Sequence, residues 1–460
     1  MSRSKHAGGF RNALKEVFSY KSALIGIAIL LLLVCLSIYT IITIPLPEAI
    51  HAWRSSEIWS KNPRNAQPEW IEIFYGKKLP RTIIVSSKGI NASETPLEDG
   101  KRAFSLILFF NYDYEDFPPE IIVFFNSSYS EKLTIDVYWI RPDGEEIRLK
   151  RHTLRRPDDK LYLSNDLGLE LQLERLVESK IGKANFTVTV ERGLFMEYSK
   201  TLRVLKGRYG IRFESVLNAG DTLEAEVVVY GLVYGLAGTD HLRRPLIIGL
   251  LWGTPIAMSF GLAASILTTV LSLIIGTISG WYGGVIDSVI QRATEINAVL
   301  PFLPILILLT TFYRIDIFVI LLSIILLNIF SLGIKSTRIL VMQIKSYPYI
   351  EAAQAYGASN LRLILLYVIP KIMPPVVPAM ISSVPGFVFL EAALSFLGLG
   401  DPFLPTWGKI INDAYTHGAL YKGFYYWILE PAFLLILCSV SFALIGIALE
   451  RTVNPKLKEL

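Results

Sequence analysis

The sequence predicts a membrane protein of the all-α class: six transmembrane helices, with a β-rich extracellular insertion between the first and the second. Three observations lead there. Of the 460 residues, 52% are hydrophobic and only 18% charged, whereas soluble domains carry about a quarter charged. The apolar residues gather in long runs near the N-terminus and through the second half of the chain, the pattern expected of spans crossing a hydrocarbon core about 30 Å thick. Between them, residues 45–245 carry short β-branched and aromatic stretches that read as strands.

The elements follow in chain order. Residues 1–21 hold Arg3, Lys5, Arg11, Lys15 and Lys21 against Glu16, an excess that places them in the cytoplasm. Phe10, Leu14, Val17 and Phe18 recur at helical spacing, as in a short amphipathic helix lying in the interface. The first span, 22–44, has no charge and is too long for the apolar region of a cleaved signal peptide. A five-helix core over 246–455 follows the insertion, with spans expected at Thr254–Gly280, Ser288–Phe312, Asp316–Ile334, Lys371–Leu397 and Trp427–Leu449. Loop 335–370 carries Lys335, Arg338, Lys345 and Arg362 against Glu351 alone, and the tail 456–460 carries Lys456 and Lys458. Both fit a cytoplasmic side, which puts both termini in the cytoplasm and makes the chain a multi-pass protein of the cell membrane. Pro301 and Pro304 interrupt the third span, where proline is tolerated if neighbours satisfy the freed carbonyls.

Within the insertion, Phe104–Phe110, Ile121–Phe125, Leu133–Ile140, Phe186–Val190 and Leu223–Tyr230 read as strands of a sandwich-like domain. Pro142-Asp143-Gly144 is the turn of a hairpin continued by Ile147–Leu149. Three N-x-[ST] sequons start at Asn91, Asn126 and Asn185, agreeing with an exterior position and offering possible N-glycosylation sites. Asp113, Glu115 and Asp116, beside Pro118-Pro119, read as a solvated loop or a cation-binding edge.

Several function classes fall away. The net charge of +5 belongs to the cytoplasmic loops, and no basic patch interleaved with aromatics suggests nucleic acid. Cys35 and Cys438 both lie in apolar runs, so neither a disulfide framework nor a cysteine metal site is expected. His6, His51, His152, His241 and His417 are scattered, without H-E-x-x-H, and no G-x-S-x-G elbow occurs. No metal site and no catalytic residue is expected. The chain has no G-x-x-x-x-G-K-[ST] phosphate loop.

Four motifs then converge. Tyr349 to Ser359 reads YIEAAQAYGAS, with Pro370 in register behind it. This resembles the EAA-x3-G signature of ABC importer permeases, although Tyr367 and Ile369 replace the usual Ile and Leu before the proline. Glu391 to Gly400 reads EAALSFLGLG, with Pro405-Thr406-Trp407-Gly408 after it, as at the end of the fifth span of the dipeptide/oligopeptide subfamily. Gly238-Thr239-Asp240 begins a partial copy of that subfamily's G-T-D-x-x-G-R-D, with Arg243 in place of the glycine and Pro245 in place of the last acid. Ser22 to Ile27 is similar to the family's first span. The resemblance covers about residues 10–45 and 235–455 and leaves the insertion unexplained.

That resemblance, to the C-type permease of dipeptide/oligopeptide ABC importers, implies a type I permease fold. It implies that Glu351, Ala352, Ala353, Gly357 and Pro370 couple the chain to separate ATPases. It further implies a second homologous permease, two ABC ATPase subunits and an extracellular substrate-binding protein as partners in the lipid bilayer. ATP and magnesium would bind those ATPases and no cofactor this chain. Glu391 is an intramembrane acid, either a functional polar site or a helix-packing partner. Peptides are the expected cargo. Oligosaccharide import by the same machinery, or a membrane-anchored extracellular receptor or adhesion protein, are the alternatives.

Overall fold

The computed structural model describes residues 16–453 apart from 56, 91, 98–99, 184 and 313–315, and for 310–311 the backbone only. Residues 1–15 and the tail 456–460, with the expectations placed on them, and the first sequon residue Asn91 lie outside the described residues. The chain divides into two units, a helical one of residues 1–54 and 247–460 and a second one of residues 55–246.

The helical unit opens with α1 (Lys21–Thr43) and α2 (Leu46–Arg54). The insertion expected from residue 45 begins only at Ser55, because Ala49 of α2 is buried with Trp252 and Ile256 in the helical unit.

The second unit is a pair of antiparallel sheets. Its strands are β1 (Ile83–Ser86), β2 (Ser93–Pro96), β3 (Arg102–Tyr112), β4 (Ile121–Ser128), β5 (Thr134–Ile140), β6 (Glu146–Thr153), β7 (Asp158–Tyr162), β8 (Gly207–Leu217) and β9 (Thr222–Val229), with helices α3 (Glu72–Tyr75), α4 (Leu167–Ile181) and α5 (Val190–Phe195). One sheet has the order β1-β9-β4-β7 and the other β2-β3-β8-β5-β6. Alternation sorts the residues. Along β3, Phe104, Leu106, Leu108, Phe110 and Tyr112 are buried, and they join Ile121, Val123 and Phe125 of β4 in one core. The predicted β5–β6 hairpin is present, its strands antiparallel. The strand expected at Phe186–Val190 is not formed. The Thr189 side chain accepts the Arg192 N–H and starts α5 instead, and a capped helix start displaces an extended run.

Arg141, fully buried at the end of β5, fixes α5 to this hairpin. Its guanidinium donates to the carbonyls of Gly193, Leu194 and Met196 and to the Asp143 carboxylate. A planar cation with five donors can be buried when that many acceptors converge on it.

Returning to the helical unit, α6 (Leu246–Tyr282) is followed by α7 (Gly284–Val299) and α8 (Phe302–Phe312), which bend by 82° at their junction. The cause is Pro301, which cannot donate a helical hydrogen bond and forces Leu300 into extended backbone. Next, α9 (Ile317–Asn328), N-capped by Asp316, is followed by α10 (Gly333–Lys345) at a 48° bend, and then by α11 (Pro348–Ala355). A helix from Asn360 to Phe396 comprises α12 (Asn360–Leu363), a π turn over Ile364–Val368 and α13 (Ile369–Phe396). It starts well before the expected Lys371. The chain ends with α14 (Trp407–Thr416) and α15 (Tyr426–Val453).

Among the described residues four helices are long and apolar enough to cross a membrane, or six spans if each bent pair counts as one. They meet through small residues, as association in lipid requires. A Cβ on Gly26 of α1 would lie 2.8 Å from the Ser441 carbonyl of α15, and one on Gly276 of α6 2.7 Å from Thr337 Cβ of α10. The Ser265 hydroxyl bridges α6 to the Met380 carbonyl at 2.6 Å.

The cap of α4 supplies a test. The Asp166 carboxylate accepts from the Gly168 and Leu169 N–H groups and pairs with Lys150. Burial pushes this carboxyl up, but the Lys150 ammonium and the two N–H groups outweigh it and hold it below its ordinary value. Asp166→Ala is expected to destabilise α4 by about 1 kcal/mol, seen as faster amide exchange over residues 167–181 in the full chain. The carboxylate's contribution is complete above the unfolded-chain value near pH 4 and is lost as pH falls through the lowered folded-state value. Protection of α4 in the wild type therefore weakens in acid, and in Asp166→Ala it loses this component of its pH dependence.

Candidate functional site

The cytoplasmic-loop motif folds into an elbow with two distinct faces. Helix α11 begins at Pro348, whose fixed φ suits the first helical turn, and stops at Gly357. There φ is +83° and a Cβ would meet nothing within 4 Å, so the requirement for glycine is conformational rather than steric. The Ala358 N–H closes back on the Ala353 carbonyl at 3.1 Å, a Schellman stop. Ser359 then starts α12.

The inward face is apolar. Ile350, 1% exposed, packs with Leu363, Ile364, Val368 and Ile372 and with Trp281, Val341 and Ile344 from the ends of α6 and α10. Polar ties reinforce the seat. Lys345 Nζ donates to the Trp281 carbonyl at 2.7 Å. Arg338 grips Asp287 with two hydrogen bonds of 2.6 and 2.5 Å, and Ser279 of α6 donates to the same carboxylate. The outward face carries Glu351, Ala352 and Gly357, all exposed, with Ala353 half-buried. Low side chains on that face leave the backbone open to a partner. Tyr356, 93% exposed, projects from the turn, and Leu361, 66% exposed, follows it. Reading the motif gave neither of them a role. The available signal was an aromatic and a leucine placed where a solvated turn would carry polar groups. The structure thus gathers Glu351, Ala352, Ala353 and Gly357 in one elbow. Pro370 lies apart, at the start of α13 behind the π turn.

Glu391 is also apart. It is buried on α13, and Ser395 one turn later donates to it at 2.7 Å. Thr406, the N-cap of α14, hydrogen-bonds the same carboxyl. Around this pair the rest of the motif is a packing knot. Trp407, fully buried, donates to the Leu250 carbonyl of α6 at 2.9 Å. A Cβ on Gly408 would collide with the Ala392 carbonyl, and one on Gly400 with Ser395 Oγ. The helical unit also has an open, mainly apolar cleft of about 400 Å³ lined by Thr268, Asn328 and Ser383 together with Leu340, Val376 and Phe387.

The partial G-T-D motif is a structural joint inside the second unit. The Thr239 hydroxyl donates to the Pro63 carbonyl and accepts from the Ala66 N–H. Asp240, buried, pairs with Arg244 at 2.5 Å. Arg243, where the motif has glycine, holds φ +68°. Its guanidinium donates to the Asn62 carbonyl and to Glu120 and lies over the Tyr230 ring. These contacts offset the strain of a left-handed non-glycine residue, which costs about 1–2 kcal/mol.

Of the sequon asparagines within the described residues, Asn126 on β4 and Asn185 in the loop before α5 are both exposed. Asp116 pairs with Lys77, and Asp113 and Glu115 lie near Lys206, so the acidic run is a loop laced with lysines. Among the described residues no group of histidine, cysteine and acidic side chains could hold a metal ion.

Comparison with known proteins gives one consistent result. Residues 272–459 match the family described as binding-protein-dependent transport system inner membrane component. The Dipeptide transport system permease protein DppC of Bacillus subtilis (strain 168) is 31% identical over 223 residues, 48% of this chain and 68% of that protein. The Oligopeptide transport system permease protein OppC of Haemophilus influenzae is 31% identical over 245 residues, 53% of this chain and 74% of the relative. Its Escherichia coli (strain K12) namesake is 32% identical over 222 residues, 48% and 72% respectively. Among solved structures, a MetNI methionine ABC transporter in inward-facing conformations matches with a TM-score of 0.36 and 18% identity, over 46% of this chain and 98% of that one. The chain belongs to the binding-protein-dependent transport system inner membrane component family. Within it, its relatives are the dipeptide and oligopeptide permeases. The match of the family to 272–459 contains the elbow and the Glu391–Gly408 knot and none of the β-rich unit.

The knot supplies a prediction. Gly408→Ala drives a methyl into the Ala392 carbonyl and must force α13 and α14 apart, at a cost of about 1–3 kcal/mol. A lowered thermal unfolding midpoint of the detergent-solubilised chain is expected. Asn412→Ala, which loses only a bond to the Phe396 carbonyl, should lower it less.

Proposed function

We propose that this chain is one of two permease subunits of an ATP-driven importer of dipeptides or oligopeptides, with the elbow at Glu351–Gly357 as its coupling point to ATPases that are separate chains. One observation carries the reading: the elbow is immobilised on its inner face by the Ile350 cluster and open on its outer face, where Glu351, Tyr356 and Leu361 stand in solvent. An aromatic anchor beside small residues and one charge is the composition of a docking point that concentrates binding energy. A push on the elbow reaches α6 and α10 through Trp281, Val341 and Ile344, and α13 through Ile372.

In this reading each bent helix pair is one span, giving six, with both termini in the cytoplasm. The β-rich unit is then an extracellular insertion with glycosylation sites at the sequons of Asn91, Asn126 and Asn185. A second, homologous permease completes the pathway, an extracellular binding protein delivers cargo, and the partner ATPases bind ATP and magnesium. This subunit itself is non-catalytic. Pro370 sits where elbow motion enters α13. Glu391 is a packing residue, its carboxyl taken up by Ser395 and Thr406. The cleft beside Thr268, Asn328 and Ser383 is uncharged and mainly apolar, with Leu340, Pro375, Val376, Met380 and Phe387 completing its lining. ATP closure of the partner ATPases then shifts the spans between two states through the differential affinity of those subunits for ATP.

The test is co-purification from the native membrane in mild detergent. Wild type is expected to bring down ATPase subunits and a second permease. Glu351→Arg with Gly357→Trp is expected to lose the ATPases and keep the second permease, and Tyr356→Ala to recover the ATPases in reduced amount. Wild type without an ATPase, under conditions that preserve other importers, sinks the reading.

A further inference from the structure

Within the second unit one short segment stands out. The turn Glu69–Ile71 and α3 after it present Trp70, Ile73, Phe74 and Tyr75 outward, with Ile73 80% and Phe74 79% exposed. Leu236, also exposed, stands beside them, since Trp70 Nε1 donates to its carbonyl at 2.9 Å. The knob is firmly held. The Glu69 N–H donates to the Gly235 carbonyl at 2.8 Å, Trp70 and Phe74 meet edge to face at 6.2 Å, and Gly76 ends α3 in the left-handed conformation. Both acids of the segment are engaged by hydrogen bonds and by Arg81. Glu69 accepts the Gly235 N–H and Glu72 the Leu79 N–H, and both face Arg81. The projecting face is therefore mainly aliphatic and aromatic, its nearest carboxylates held by Arg81, and exposed Lys78 flanks it. Rigid display of large apolar side chains on such a face marks a contact surface.

Connectivity says what it contacts. Leu236 is followed closely by Gly238, whose carbonyl accepts the N–H of Leu246 at 3.1 Å, and Leu246 is the first residue of α6. The far end of α6 packs against Arg338 and Lys345, so that end lies beyond the hydrocarbon. The 37 residues of α6 span about 55 Å at about 1.5 Å each, against about 40–45 Å for a bilayer with its headgroups. Leu246 accordingly reaches at least the opposite headgroup layer, the excess length being taken up by helix tilt, and the knob is tied to it by two hydrogen bonds and a two-residue step. Tryptophan and tyrosine with a flanking lysine are the side chains that settle in that layer, where an apolar face is buried shallowly.

We propose that Trp70, Ile73, Phe74, Tyr75 and Leu236 form a membrane-interface anchor, seated among the headgroups and upper acyl chains of the leaflet from which α6 emerges. The anchor ties the β-rich unit to the lipid surface. It goes beyond the transport reading and does not depend on the ATPase partners.

The test uses the full chain carrying Cys35→Ser, with Cys438 buried, reconstituted in vesicles of phosphatidylcholine and phosphatidylglycerol. A nitroxide is attached at Ile73→Cys, at Phe74→Cys in a separate sample, or at the exposed control position Lys200→Cys. Collision with oxygen and with a water-soluble nickel chelate is then measured. The expected result at both knob positions is an oxygen-to-nickel ratio severalfold above that at the control. A ratio equal to the control leaves the knob in water and overturns the proposal. Shielding from both reagents assigns it to a protein contact and overturns it equally. The knob side chains are exposed, so both labelled variants should fold as the parent does.

Discussion

An exposed elbow transmits force only if its other face is fixed. Ile350 supplies that fixed point. It is the buried residue of α11, and it meets side chains from the ends of α6, α10 and the helix starting at Asn360 in one cluster. Burying an isoleucine of this kind is worth about 1.5–3 kcal/mol, and the paired bonds of Arg338 to Asp287 keep the supporting helices in register around it. The coupling proposed for the elbow depends on this seat: without it, α11 would be a solvated helix whose movement reached nothing.

The apolar helices and the turn at Gly357 were legible in the sequence because lipid and backbone geometry each leave few choices. Uncharged runs long enough to cross must be helices, and Gly357 could stand where it does for few reasons other than its backbone angle. Boundaries were less legible. The helix from Asn360 starts before the expected Lys371, because the π turn over Ile364–Val368 takes Pro370 into a continuing helix. The break at Leu300–Pro301 was foreseen as an interruption, but its 82° bend depends on packing that no local pattern encodes. In the insertion, Phe186–Val190 carried strand-forming residues, and the Thr189 cap decided otherwise. Strand β8, which bridges β3 and β5, went unread although buried Tyr209, Ile211, Phe213 and Leu217 alternate there with Arg208, Arg212 and Glu214.

The G-T-D region shows how a departure from a family pattern is accommodated. A glycine position with positive φ is occupied by Arg243, and the side chain that glycine would lack is what reaches Asn62, Glu120 and Tyr230. Those three residues belong to the β-rich unit, which a chain lacking the insertion would not contain. The arginine and the β-rich unit are therefore tied together: the local backbone penalty is offset by contacts to Asn62, Glu120 and Tyr230.

The prolines of α13 carry one further consequence. Pro374, Pro375, Pro378 and Pro385 all lie inside this helix, and each leaves the carbonyl one turn earlier without its usual donor. A helix so depleted has fewer bonds to break when it flexes. Its stiffness is then set by its neighbours, through contacts such as the Ser265 hydroxyl on the Met380 carbonyl, more than by its own ladder. Curvature of this helix becomes a property that surrounding helices can dial, and a small displacement at the Ile372 end can be converted into a change of shape along its length.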